Sequence, residues 1–408
     1  MNSKTTRIIA APALVMMLAG VPAMAEGEDI ASAVKGGKAS IDLRYRYEFV
    51  DQDGFSKNAN ASTLRFRLNY QTGEWQDWSG FVEFDQVLEA FVDNYNSGAG
   101  TSGPGRDVYP VVADPDGSDL NQMYLQYAPG EDWLARLGRQ RILLDDQRFV
   151  GGVGWRQNEQ TYDAVSFDYD GFGNGKVFYS YVSNVNRIFG DEVPAGNHGQ
   201  DTHLLNGNFA VSNDWKVTGY AYLIDNEDSP GASTDTFGVR VSGGIKSGDN
   251  KFDLLGEYAI QSDAANNPAS FDADYFRLQG IWNAGQFSAG AGYEVLGSDN
   301  GVGFSTPLAT LHAFNGWADQ FLATPGDGLE DLYIRFGMKP GKWDILAVYH
   351  DFSADASGTD YGSEIDLSAG YKLTDRYSLL LKAAMYSAGD PSGPVDTTKF
   401  WLMLTGGY

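Results

Sequence analysis

Residues 40–50 (SIDLRYRYEFV) alternate strictly, with Ile41, Leu43, Tyr45, Tyr47 and Phe49 on one side and Asp42, Arg44, Arg46 and Glu48 on the other. One face is greasy and aromatic, and the other is charged. The same split recurs in 61–71, where Leu64, Phe66, Leu68 and Tyr70 oppose Arg65, Arg67 and Asn69, and again where Val82, Phe84 and Leu88 oppose Glu83, Asp85 and Glu89. It continues with Phe237, Val239 and Val241 against Arg240, Phe276, Leu278 and Trp282 against Arg277, and Leu332, Ile334 and Phe336 against Arg335. Ile365, Leu367 and Tyr371 oppose Glu364 and Asp366 in the same way. Such segments predict eighteen strands, starting near 40, 61, 78, 119, 132, 161, 175, 201, 213, 233, 250, 271, 285, 329, 341, 361, 375 and 395.

The connections carry further information. Brief turn sequences such as PGED (129–132), SND (212–214), SGDN (247–250) and KPGK (339–342) alternate with long ones, 91–118, 143–160, 187–200 and 297–328. Short and long connections in alternation, with one apolar face, predict an all-β fold: a transmembrane up-and-down antiparallel barrel of about 18 strands, its long external loops folded partly into the pore. Closure matters because hydrocarbon offers no hydrogen-bond partner to an open sheet edge. The chain ends KFWLMLTGGY, with Phe400, Leu402, Leu404 and Tyr408 on one face. A last strand closing on an aromatic residue fits recognition by the barrel-assembly machinery.

Composition narrows the class. The 408 residues are 42% hydrophobic and 13% aromatic, with 50 glycines and no cysteine. No central apolar run is long enough for a helical membrane bundle, and disulfides, cysteine-zinc sites and cysteine nucleophiles are excluded. The formal charge of −25 argues against nucleic acid and against an anionic membrane surface as partners. Residues 1–25 read as a secretory signal peptide, with Lys4 and Arg7, an apolar stretch from Ile8 to Val21, and Ala23-Met24-Ala25 as the cleavage site. The barrel is then expected to occupy 26–408, surrounded by outer-membrane lipid.

The polar faces carry Arg44, Arg46, Arg65, Arg67, Arg136, Arg240, Arg277, Arg335, Lys382 and Lys399 beside a similar number of acids, among them Glu83, Asp85, Asp168 and Glu257. One reading is a water-filled conduit in which guanidinium groups hold a passing solute weakly at several places. The other is mutual neutralisation of charges across strands. Segment 138–163, GRQRILLDDQRFVGGVGWRQNEQTYD, concentrates Arg139, Arg141, Arg148 and Arg156 among Asp145, Asp146 and Glu159. It is expected to fold into the barrel mouth, with Arg148 held by Asp145 or Asp146, and with a register change near Gly138 turning Arg139 and Arg141 inward. In 297–328, three- and four-residue spacing of Leu308, Leu311, Asn315, Ala318 and Leu322 predicts a short helix whose Phe314, Trp317 and Phe321 pack on the barrel wall.

Catalysis finds little support. His198, His203, His312 and His350 are scattered, and neither an H-E-x-x-H nor a G-x-S-x-G motif is present. The acidic run DPDGSD (114–119) lacks the calcium-loop pattern and reads as a solvated turn. No metal or cofactor is expected.

RYRYE (44–48), GRQ with DDQRFVG (138–151), WRQNEQTYDAV (155–165), YVSNVNRIFG (181–190) and PLATLHAFNGWADQFL (307–322) together resemble the alginate export family of outer-membrane barrels. The resemblance implies an eighteen-stranded monomeric barrel with an arginine-containing pore for an anionic polyuronate, and it puts Arg139, Asp145, Asp146 and Arg148 at or near the constriction. The function expected is a passive channel for anionic or neutral carbohydrate, alginate or its oligomers included. A general non-specific porin is the alternative, and a barrel enzyme or an adhesin stands outside transport.

Overall fold

The computed structural model describes residues 29–390 and 393–408. The expected signal peptide, 1–25, lies outside the described residues.

Eighteen long antiparallel strands form one sheet. They are β1 (Lys38–Gln52), β2 (Ala59–Gln71), β3 (Trp78–Asn94), β4 (Gly117–Tyr127), β5 (Trp133–Gln140), β6 (Thr161–Tyr169), β7 (Gly175–Asn186), β8 (Asn197–Ala210) and β9 (Trp215–Ile224). There follow β10 (Thr234–Ser247), β11 (Asn250–Asp263), β12 (Asp272–Ala284) and β13 (Phe287–Leu296). A two-residue ladder, β14 (Ser298–Asp299) with β15 (Val302–Gly303), sits in the long connection before β16 (Leu329–Met338). The series ends with β17 (Trp343–Ser353), β18 (Asp360–Lys372), β19 (Tyr377–Ala388) and β20 (Thr397–Gly407). Each long strand pairs with its neighbours in sequence, and β1 pairs with both β2 and β20, from Asp42↔Gly407 to Gln52↔Thr397. The sheet therefore closes and no edge remains for hydrocarbon to strip of hydrogen bonds. Every long strand begins within four residues of its expected start.

Burial is inside out. The apolar halves of the strands are the exposed ones: Leu125 (54% exposed), Leu278 (51%), Ile334 (59%) and Phe400 (43%) point to the lipid, while Arg46, Arg65, Glu83 and Asp366 are almost completely covered. At the ends bearing the short turns, aromatic pairs stack across neighbouring strands: Trp78 with Tyr127 at 4.7 Å, Trp133 with Tyr169 at 4.4 Å and Trp343 with Tyr371 at 4.6 Å. These form an interfacial girdle and mark the periplasmic rim. The long connections, 95–116, 141–160 and 297–328, lie at the opposite, external end.

Those loops enclose the apolar core. Ile142, Leu144, Phe149 and Val150 of one loop pack with Phe304, Leu308, Ala318 and Phe321 of another against Tyr162, Tyr220, Tyr275, Phe352 and Trp401 on the inner wall. The 297–328 segment contains one three-residue 3-10 turn, Leu311–Ala313, where a helix was expected. Positive φ at Asn315 (53°), Gly316 (83°) and Asp319 (61°) breaks any helical run. The backbone groups so released bond the wall, Trp317 N to Asp366 Oδ2 (3.1 Å) and Ala318 N to Glu364 Oε1 (2.7 Å). The aromatic side chains do pack on the wall, Phe321 lying 4.6 Å from Phe352.

Candidate functional site

The strongest concentration of charge lies where loop 141–160 crosses the lumen. Period-two alternation on β1 to β3 aims Arg44, Arg46, Arg65, Arg67, Glu83 and Asp85 at it. Arg67 binds Asp85 with two nitrogens at 2.7 and 2.6 Å and reaches Glu159 of the loop at 2.7 Å. Arg141 bonds both Glu83 and Glu159. Arg65 binds Asp42 at 2.6 Å, with Glu159 at 3.9 Å. Burial works against the charge of Glu159, but Arg67 and Arg141 hold its pKa down at about 2.

Toward the loop tip, Arg44 donates to the carbonyl oxygens of Gly154 (3.0 Å) and Arg156 (3.0 Å), and Arg46 to that of Trp155 (2.5 Å). Arg46 also lies 4.2 Å over the Trp155 ring and pairs with Glu48 (3.2 Å) and Asp114 (3.5 Å). Asp114 opens the acidic run expected to be a solvated turn, yet it is 1% exposed and accepts from Gln157 N at 2.8 Å. Buried arginines on the wall need a counter-charge, and the folded-in loop 95–116 supplies it. Arg156 joins Glu48 (3.1 Å) to Asp319 (3.3 Å) of the far loop.

On the opposite wall Asp146 is shared by Arg240 (2.6 Å) and Arg277 (2.8 Å). Burial raises its pKa and the two guanidinium groups outweigh that, bringing it to about 2. Asp145 accepts from Asn206 at 2.7 Å. Neither acid holds Arg148, contrary to expectation. Arg148 is 2% exposed and spends its fork on Glu294 (2.6 Å), Thr306 (3.0 Å) and Asn315 (3.2 Å). It ties the two long loops to β13. Positive φ at Asp145 (51°) and at Gln147 (66°) turns Arg148 away from the neighbouring acids. The partner, Glu294, lies 146 residues away in sequence, where no local signal points to it.

Arg139 also departs from expectation. Gly138 has φ 126°, but the β5 ladders continue without a register shift. Arg139 keeps the parity of lipid-facing Leu137 and pairs across the ladder with Asp163 (2.8 Å), with Asp119 at 3.6 Å. These two rim carboxylates satisfy it without any inward turn. Arg141, just past the strand, is the one that reaches the lumen cluster.

The tip of loop 297–328 is locked against loop 141–160 and the last two strands. Trp155 stacks on His312 at 4.4 Å with a 9° interplanar angle, and Lys382 sits 3.6 Å over Trp317 and 4.3 Å over Trp155. Lys382 Nζ contacts His312 Nε2 at 2.7 Å and His312 Nδ1 contacts Asp319 Oδ1 at 2.7 Å. An ammonium only donates, so Nε2 accepts and the imidazole is neutral, its proton on Nδ1. Burial pushes the His312 pKa well below its ordinary value, in keeping with that tautomer. Asp319 closes the network on Lys399 at 2.7 Å.

Three arginines on the polar faces have no carboxylate partner among the described residues: Arg44, Arg136 and Arg335. Arg136 bonds only Gln126 (3.0 Å) and lies 5.4 Å from the Tyr124 ring. It lines a cavity of about 500 Å³ below loop 141–160, together with Arg141, Asp145 and Asn206. The Nε of Arg335 has no hydrogen-bond partner among the described residues.

A closed eighteen-strand barrel with inward loops and inner arginines is an outer-membrane channel architecture, and the comparisons agree. Residues 38–293 match the family described as alginate export. This chain belongs to the alginate export family. Its motif at 307–322 lies beyond the matched span. Solved structures similar to it include Pseudomonas aeruginosa OccK9 (OpdG), with a TM-score of 0.73 and 14% identity over 92% of this chain and 100% of that one. Acinetobacter baumannii OccAB2 has a TM-score of 0.70 at 16% identity over 92% of this chain and 99% of that one, and OccAB4 of the same species 0.71 at 12% over 91% and 98%. No curated protein matches the chain. Alginate export family membership places the barrel in the Gram-negative outer membrane and makes it a channel.

Proposed function

We propose that this channel conducts small carboxylated carbohydrates, alginate oligomers among them, by passive and anion-favouring diffusion. The observation that carries the reading is the pair Arg136 and Arg335, on β5 and β16 of the inner wall, without carboxylate partners among the described residues. Arg44 on β1 has none either, but its fork is partly taken by the carbonyl oxygens of Gly154 and Arg156. Paired arginines shape the pore, whereas unpaired ones leave fork donors for a passing carboxylate. Several weak positive stations let an anion enter and leave, as conduction requires. The acids of loop 141–160 are spent on Arg67, Arg141, Arg240 and Arg277 and so repel a solute less than their number suggests.

The test is the zero-current potential of the full chain in a planar bilayer under a KCl gradient. The parent is expected to favour chloride. Arg335→Gln combined with Arg136→Gln should shift the potential toward potassium, and trigalacturonate should block the parent more strongly than maltotriose. A cation-favouring parent, or a potential indifferent to both substitutions, would overturn the reading.

A further inference from the structure

Above the loop crossing, on the external side, lies a second cavity of about 340 Å³. Its lining comes from four external connections and includes Arg187, Ser229, Thr306, Leu311, Phe321 and Thr324. No carboxylate of the described residues lines it. That is notable beside its surroundings, since the same connections carry Asp191, Glu192, Asp225, Glu227, Asp228 and Asp327. Arg187 follows β7 directly, and its backbone is fixed by Arg187 N donating to Gly196 O (2.8 Å) and Arg187 O accepting from Gly190 N (3.2 Å). Its side chain is half-buried and makes no hydrogen bond or ion pair with any described residue.

The neighbouring arginine in the same lining shows what a structural arginine looks like here. Arg148 spends all three guanidinium nitrogens on Glu294, Thr306 and Asn315. Arg187 staples nothing. Covering a cation without a counter-charge is unfavourable, and a carboxylate arriving from outside relieves that cost. Apolar groups at Leu311, Pro307 and Phe321 and hydroxyls at Ser229, Ser305 and Thr324 flank it. That mixture suits a sugar ring, which presents C–H faces and hydroxyl edges at once.

We infer that the Arg187 cavity is an external capture subsite for the carboxylate of a uronate-type sugar, loaded before the solute passes loop 141–160. The inference deepens the proposed function by giving the channel a first station on its outer side.

Side-specific block tests it. The full chain is inserted in a planar bilayer with its long loops facing one chamber, and trigalacturonate or neutral maltotriose is added to either side. In Arg187→Gln, block by trigalacturonate from the loop side should weaken about tenfold, the size of one lost charge-assisted contact. Block from the turn side, the zero-current potential and maltotriose block should stay as in the parent. Arg187→Lys should recover part of the loss, because it keeps the charge and loses the fork. Equal trigalacturonate block from the loop side in parent and Arg187→Gln overturns the subsite and leaves the lumen reading standing. Equal weakening for maltotriose overturns it too, by showing that shape and not charge is read. Should the glutamine variant fail to assemble, Arg187→Lys decides, and block identical to the parent refutes the fork contact. A parent that trigalacturonate blocks from neither side removes the solute class itself, and the lumen reading with it.

Discussion

Single arginines in this barrel differ by whether their forks are spent. Arg148 is fully spent, so replacing it with Ala takes from buried Glu294 its ion-pair partner and leaves it the Tyr275 and Asn315 hydrogen bonds, a change at or below the lower end of the about 3–5 kcal/mol typical of breaking a buried pair. The expected outcome is an assembled barrel whose loop 141–160 is loosely held, giving a larger and noisier single-channel current than the parent. Unchanged current with unchanged heat-modifiable migration would show that Glu294 finds another partner. The inward faces of Arg44, Arg46, Arg65, Arg67, Arg240, Arg277 and Arg335 were legible in the sequence because strand parity is a local property. Partners such as Glu294, Asp114 and Asp319 were not, since they join a wall to a loop across the lumen, and separation in sequence says nothing about such pairings. Parity held at Arg139 too; the register change expected near Gly138 is what did not occur, two carboxylates on the rim having removed the need for it.

At the scale of elements, the two inward loops respond to acid in different windows. His312 is neutral and held well below its ordinary pKa by burial, with Lys382 and Arg156 adding to the effect and Asp319 opposing it, so an undocked tip protonates first. Docking of 297–328 is therefore complete above the free histidine value of about 6.5 and weakens as pH falls below it. Asp146 and Glu159 are both held at about 2 in the docked loop 141–160, below their free values of about 4. Their contribution is present above about pH 4 and disappears as pH falls through about 2. Conductance recorded from pH 7 down to 2 should show two rises, the first near 6 and absent in His312→Gln, the second below 4 and retained. A single rise common to both proteins would mean that the loops move as one body. The strands were readable as elements because alternation, turn chemistry and loop length agree. The 297–328 segment was misread because its apolar spacing serves contacts with several wall strands, and the backbone bends at Asn315, Gly316 and Asp319 that make them possible leave no periodic trace.

For the whole molecule, the inverted burial sets where charge is tolerated. An outward side chain at the middle of a strand meets hydrocarbon, and one beside a short turn meets headgroups and water. Leu278 (51% exposed) is the midpoint of β12, Asp272–Ala284, and the neighbouring Arg277 pairs with Glu257 in the middle of β11, so it lies near mid-bilayer. Val211 (63% exposed) lies at the start of the 211–214 turn. Leu278→Arg should reduce folding stability in lipid vesicles by about 2–4 kcal/mol, whereas Val211→Arg should change it by about 0–1 kcal/mol. Reversible urea titration with tryptophan fluorescence reads both. In a soluble all-β protein, whose outward residues face water at every height, the two substitutions would cost alike and little. Equal small effects would therefore contradict the membrane-spanning orientation of the strands, and the steep contrast is the thermodynamic counterpart of the alternation with which the chain begins.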